Sequence, residues 1–212
     1  MPGIFNTLFQ LRLKHAKDPL EDYLTEIFAY CLKSNEPLLK EFLNKFIYNQ
    51  SYKKSSVLTQ QSFVAINSHP SDSKPDMIIQ LDDAAIYLEN KVASYEGNIQ
   101  LQRYAEHLDA EIKKDKVLVY ITRDHDPKDQ NIIFQNCHNP IQFVQIRWYQ
   151  IFDCLSKYKD LPIVLELLTF MKLKKLSMSN QFTPSDLITL SNFSQVQTML
   201  DETMYGKTSS KF

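Results

Sequence analysis

The stretch from Pro75 to Lys91 leaves this chain few ways to fold. Met77 to Leu81 and Ala84 to Leu88 are apolar runs of strand length, and Asp82-Asp83 interrupts them. Two such runs about a short polar break predict a β-hairpin. Folding it symmetrically about Asp82 and Asp83 sets Asp76 directly across from Glu89. Lys91 stands two residues beyond Glu89, so its side chain leaves the strand on the same face. Like charges opposed across a strand pair destabilise it. A hard divalent cation removes that repulsion, and Mg²⁺ takes oxygen ligands, typically one or two carboxylates with waters and a substrate phosphate. A neighbouring lysine supplies positive charge for an anionic substrate or for charge that develops during a reaction. Singly, each residue has a plainer role: Asp76 as a loop residue after Pro75, Glu89 and Lys91 as an ordinary ion pair on a solvated strand. Their convergence on one face of one hairpin is what points to a site.

Composition narrows the rest. The 212 residues, 43% hydrophobic and 12% aromatic, suit one domain with or without a small helical appendage. Three glycines in all argue against a Gly-rich phosphate loop. Gly206-Lys207-Thr208 has the ending of one, but Asp201 stands where its first glycine is required. A net charge of −1 gives no overall basic field, so nucleic-acid binding needs local patches. Lys53-Lys54, Lys113-Lys114-Lys116 and Lys172-Lys174-Lys175 are candidates, each otherwise a solvated loop or helix end. Cys31, Cys137 and Cys154 have no metal-binding spacing; Cys31 and Cys154 read as small core residues, and a reducing cytoplasm is the expected setting. No apolar run reaches membrane-spanning length, and the N-terminus lacks a signal-peptide pattern.

In chain order, residues 4–16 read as a short amphipathic helix. Asp18-Pro19 then opens a helix whose buried stripe is Leu20, Leu24, Ile27, Phe28 and Cys31. Glu21 lies at the margin of that stripe and Glu26 on its wet side, so Glu21 is the better placed to reach an internal site. Asp18 and Glu21 also have capping-box spacing, which leaves a purely local role open for Glu21. Glu36-Pro37 starts a second helix with Leu38, Leu39, Phe42, Phe46 and Ile47 inward. Val57 to Ile66 is expected as the first strand, and Asn67 to Lys74 as a loop in which Asp72 is a further acidic residue and His69 an ordinary loop residue. Asn98 to Lys113 is a helix carrying Gln100, Arg103 and Tyr104, with Gln100 and Tyr104 on one side. Lys116 to Thr122 is apolar nearly throughout, as a strand covered on both faces is. Arg123 to Pro127 reads as a polar loop, because Asp124, His125, Asp126, Cys137 and His138 match no zinc spacing. Gln142 to Trp148 is a last strand. Helices follow over Tyr149–Lys157 and Leu161–Leu173, then one from Thr183 or Ser185 that breaks near Asn192, then 194–204.

Pro75-Asp76, then Glu89-Asn90-Lys91 thirteen residues on, resembles the PD-(D/E)xK nuclease superfamily. Gln100-Leu101-Gln102-Arg103-Tyr104 resembles the QLxxY helix motif of several of its branches, and Glu21 to Glu26 the acidic stretch on their first core helix. The resemblance implies an α/β fold, a restriction-endonuclease-like mixed β-sheet core flanked by helices, with a helical C-terminal segment. Residues 1–160 would be the nuclease core with its N-terminal helices, and 161–212 a helical extension that could cover the sheet, grip DNA or mediate dimerisation. It implies Mg²⁺-dependent hydrolysis of DNA, with Mn²⁺ able to substitute. Asp76, Glu89, Glu21 and the backbone carbonyl of Asn90 would hold the metal. Lys91 would orient or deprotonate water or stabilise developing charge, Gln100 would hold the geometry, and Lys53, Lys54, Arg103 and Tyr104 would meet the substrate. Tyr104 also reads as a core residue with its hydroxyl satisfied. Relatives of this kind often serve in antiviral defence, act as dimers, and join a further domain or partner that controls them. An inactive nuclease-fold scaffold that binds nucleic acid or protein is the alternative.

Overall fold

The computed structural model describes Phe5, Leu8, Phe9 and residues 20–64, 72–92, 99–178 and 184–205. The chain divides into two compact units, Met1–Met178 and Ser179–Phe212. The Asp18-Pro19 start, His69, the break at 94–97 and Gly206-Lys207-Thr208 lie outside the described residues.

The first unit opens with two helices, α1 (Leu20–Ser34) and α2 (Glu36–Phe46). The Asn35 side chain caps α2 by accepting from the Leu38 N–H at 2.9 Å, and Pro37 fits the first turn because no helical partner exists there for its missing N–H. Next come β1 (Ser55–Thr59), β2 (Met77–Leu81) and β3 (Ala84–Lys91). Helix α3 (Gln100–Asp109) leads to β4 (Asp115–Thr122), and the short α4 (Gln130–Ile133) to β5 (Gln142–Arg147). Helices α5 (Trp148–Ser156) and α6 (Pro162–Leu173) complete it.

The strands form one five-stranded sheet in sequence order. β1, β2 and β3 pair antiparallel, whereas β3, β4 and β5 run parallel. Parallel neighbours need a crossover, and α3 provides it between β3 and β4. The hairpin has the expected register, with Met77 opposite Leu88 and Ile78 opposite Tyr87. β3 and β4 are almost wholly buried, as strands clothed on both faces are. On one face Ile79, Ile86, Leu88, Val119 and Ile121 pack under α1, α2, α5 and α6. Phe28 meets both Phe42 and Trp148 edge-on there, and full burial of side chains of this size is worth about 1.5–3 kcal/mol each. On the other face Ala85, Tyr87, Leu118 and Tyr120 pack under α3 and α4.

Two expectations change in this unit. The first strand ends at Thr59 rather than running to Ile66, because Gln60 takes a left-handed backbone (φ 56°) that no strand continues through. Phe63 contributes only a single bridge, to Ser73. The crossover helix spans Gln100–Asp109 rather than 98–113, entered from Ile99 at φ 52°, a strained conformation for a β-branched residue.

The second unit contains α7 (Pro184–Tyr205). It is one helix of 22 residues, with no break near Asn192. Nothing in that stretch after Pro184 is glycine or proline, and Thr189, Thr198 and Thr203 return their hydroxyls to the carbonyls four residues back, so the polar side chains do not compete with the helix. Among the described residues no helix is long and apolar enough to cross a membrane.

Candidate active site

Parallel strands present their carboxyl ends to ligands. Here those ends bring Lys91 of β3 beside Thr122 of β4, and Thr122 beside Arg147 of β5. Glu89, Asn90 and Lys91 close β3, and alternation along the strand decides where each side chain goes. Glu89 follows Tyr87 onto the α3 face, where Gln100 donates from Nε2 to Glu89 Oε1 at 2.7 Å. Lys91 returns to the same face and its Nζ lies 2.6 Å from the same oxygen. Asn90 points to the other face and meets α1 at Thr25.

Asp76 stands one residue before the paired part of β2, where the hairpin register continues toward Glu89. The hairpin ladder stops at Met77 and Leu88, and beyond it the Asp76 side chain replaces the backbone as the acceptor. Its Oδ2 takes the Asn90 backbone N–H at 2.8 Å and the Asn90 Nδ2 at 3.1 Å. Its charge still acts on Glu89. Glu21 on α1 reaches the same strand end: Oε1 accepts the Val92 N–H at 2.8 Å, and Oε2 lies 3.9 Å from Lys91 Nζ. Glu26 is turned away and accepts from the Thr59 hydroxyl at 3.0 Å.

Burial dominates the electrostatics. Glu89 is 1% exposed, and burial raises its carboxyl above the usual range, Asp76 adds to the rise, and Lys91 opposes it. Burial also raises Asp76, against the Asn90 N–H and Lys91, with Glu21 and Asp22 pushing the same way as burial. Burial alone would lower Lys91, but Glu89 first, then Glu21 and Asp76, hold its ammonium above the ordinary lysine value. Lys91 in this state is a cation rather than a base.

The donor set suits a hard divalent cation. Glu89 Oε2 is buried and has no hydrogen-bond partner, a lone pair left unmatched near the half-buried Asp76 carboxylate. Among the described residues no group of three or more His, Cys, Asp or Glu gathers as a metal cage. Glu21 is engaged by Val92 and Lys91, and two carboxylates suffice for Mg²⁺, which keeps several of its waters.

The other expected site residues separate. Gln100 is in place. Tyr104 is 1% exposed, donates its hydroxyl to the Lys74 carbonyl at 2.8 Å and accepts from Gln100 at 2.7 Å, so it ties the loop before Asp76 to α3 rather than meeting a substrate. Arg103 sits half-buried on the same helix. Lys53 and Lys54 give their backbone N–H groups to Asp82 at the hairpin turn. Five residues of β3, Ala84–Leu88, separate that turn from Glu89, roughly 20 Å of strand, so these lysines lie at the far end of the hairpin from the site. Asp124 and Asp126 belong to a polar loop, with Asp126 held by Tyr120 and Lys128. Thr25 and the Asn90 side chain were missed. The available signal was the four-residue spacing of Glu21 and Thr25, which puts both on one side of α1.

A mixed sheet clothed by helices, with paired acids and a lysine at the end of a parallel strand, defines the restriction-endonuclease-like class. The family model of the PD-(D/E)XK nuclease superfamily matches residues 5–164, and the chain belongs to that superfamily. No curated protein and no solved structure matches it.

Proposed function

We propose that this protein hydrolyses phosphodiester bonds in DNA with Mg²⁺, for which Mn²⁺ can substitute. The observation that carries the reading is the buried Glu89 carboxylate, with one oxygen engaged by Lys91 and Gln100 and the other without a partner, beside Asp76. Asp76, Glu89 and the Asn90 carbonyl are the residues that would hold the ion, with Glu21 at its edge. A divalent cation bound there supplies Lewis-acid polarisation of the phosphate and makes water a nucleophile at neutral pH.

The chain's own residues do the rest. Gln100 fixes Glu89 Oε1, and Tyr104 fixes Gln100, so the carboxylate keeps one orientation. Lys91, held protonated by three acids, stabilises negative charge as water attacks phosphorus and the P–O bond breaks. Arg103 is a candidate contact for the nucleic-acid backbone. By the resemblance to relatives we include a homodimer or higher oligomer, a controlling domain or partner protein, and a role in antiviral defence. A cytoplasmic setting accords with three free cysteines, two of them buried.

The test is incubation of the protein with supercoiled plasmid, linear DNA and single-stranded RNA, each with Mg²⁺, Mn²⁺ or EDTA. Cleavage of DNA with either metal, none in EDTA, and none by folded Asp76→Asn or Glu89→Gln is the expected result. Undiminished cleavage by either pure variant refutes the assignment. The scaffold alternative predicts no cleavage and needs no Mn²⁺ at the hairpin, which calorimetry tests.

A further inference from the structure

Thr25 and Asn90 are 1% and 4% exposed, and their polar atoms are arranged for a purpose that packing does not explain. Asn90 Nδ2 carries two hydrogens, and both are engaged, one by Thr25 Oγ1 and the other by Asp76 Oδ2. The Asn90 backbone N–H goes to that same Oδ2. The Thr25 hydroxyl donates to the Glu21 carbonyl at 2.9 Å, so it can meet Asn90 only as an acceptor. The amide therefore has one workable orientation. Turned over, its oxygen would face a carboxylate and a hydroxyl oxygen whose hydrogen is already used. In the orientation adopted, Asn90 Oδ1 is buried with no partner, which is unfavourable by itself. The side chain is thus oriented by what its nitrogen serves.

What it serves is one oxygen of Asp76. Two donors from one residue converge on Oδ2 and neither goes to Oδ1. The same helix that carries Thr25 also carries Glu21, which takes the Val92 N–H. α1 therefore holds the end of β3 at two points, on either side of Lys91.

We propose that Thr25 and Asn90 are positioning residues: a hydroxyl–amide relay from α1 that pins Asp76 by Oδ2 and so leaves Oδ1 as the oxygen offered to a metal ion. The inference rests on the metal-dependent reading of the site above. It makes the first core helix part of the metal site's framework through a hydroxyl as well as through an acid. Neither Thr25 nor the Asn90 side chain touches the substrate.

The experiment is calorimetric titration of Mn²⁺ into the whole chain, as parent, Thr25→Val and Thr25→Ser, with melting curves in EDTA beside it. Thr25→Val keeps the shape and removes the acceptor, whereas Thr25→Ser restores it. The expected result is Mn²⁺ affinity about tenfold weaker for Thr25→Val and within about twofold of the parent for Thr25→Ser. kcat for plasmid cleavage should fall with affinity in Thr25→Val while KM for DNA holds. If Thr25→Val does not fold, Thr25→Ala is read in its place. Parental Mn²⁺ affinity in the folded Val or Ala variant overturns the relay alone. So does a Thr25→Ser protein as weak as Thr25→Val, since shape would then be the cause. Failure of the parent to bind Mn²⁺ removes the metal-dependent reading itself, and the relay with it.

Discussion

Replacing Glu89 by Gln tests the electrostatics of the site with almost no change of shape. Glu89 is 1% exposed, and burial first, then Asp76, raises its carboxyl, with Lys91 opposing. A carboxyl raised by folding keeps its proton longer in the native protein than in the unfolded chain. Between the ordinary carboxyl value of 4.5 and the native value of about 8, the native state binds more protons, and stability is lost as pH rises through that window. The loss is about 1.4 kcal/mol for each pH unit the window spans. One unit is enough to make ionised Glu89 unfavourable by about 1.4 kcal/mol at pH 9 in the absence of metal. Gln stands in for the protonated acid. In EDTA, Glu89→Gln should therefore be at least about 1.4 kcal/mol more stable than the parent at pH 9. At pH 4.5, where native Glu89 holds its proton, the two should agree within about 0.5 kcal/mol. Urea denaturation at both pH values measures this. A parent at least as stable as the variant at pH 9 refutes the reasoning, because Lys91 and Gln100 would then outweigh burial. Mn²⁺ supplies the converse: at a hundredfold excess over Kd a native-state ligand adds about 2.7 kcal/mol, and only the parent should gain it.

Two further substitutions separate charge from architecture. Lys91→Ala removes the cation 2.6 Å from Glu89, and cleavage should fall about 10²–10³-fold while Mn²⁺ affinity by calorimetry is undiminished, since a competing positive charge has gone; a parallel loss of metal binding would count against Lys91 as a charge stabiliser. Tyr104→Phe removes the hydroxyl between the Lys74 carbonyl and Gln100, and should lower stability by about 1 kcal/mol and kcat with it, leaving KM for DNA unchanged. A raised KM would return Tyr104 to the substrate.

The hairpin was legible because it is local. A two-residue polar break between apolar runs admits one symmetric register, and the ladder from Met77–Leu88 to Gln80–Ala85 has it. The side of α1 that carries Glu21 was legible for the same reason, since helical phase needs only the sequence. The sequence was silent where the backbone departs from regular torsions. Gln60 ends β1 in a left-handed conformation that neither glycine nor proline announces. Lys53 and Lys54 read as substrate contacts because charge is visible in sequence and position is not; only the pairing of Ser55 with Leu81 sets them at the turn. Thr25 was hidden because nothing in the sequence around it marks a site hydroxyl, and its role depends on Asn90 arriving from a strand 65 residues away. On α7 the expected break at Asn192 gave too much weight to one polar residue in a stretch otherwise free of breakers.

The two ends of β2 offer an internal control on the site. Asp82 at the turn accepts two backbone N–H groups, from Lys53 and Lys54, and those bonds lower its carboxyl below the ordinary range. Asp76 before the strand also accepts two N–H groups, both from Asn90, and has Lys91 nearby, yet its carboxyl is raised. The donors are comparable in number and geometry, so they do not explain the opposite signs. Burial does, because Asp82 is exposed to water and Asp76 is not fully so. Hydrogen bonds and one lysine thus fail to compensate the desolvated charge at the site end, although similar bonds more than suffice at the turn. A sheet that only needed a closed hairpin end would have no use for Glu89 as well, which adds a buried acid and an unmatched oxygen. The surplus is negative, oxygen-borne and enclosed between α1 and α3. A hard cation is the species that turns all three properties from unfavourable to favourable at once.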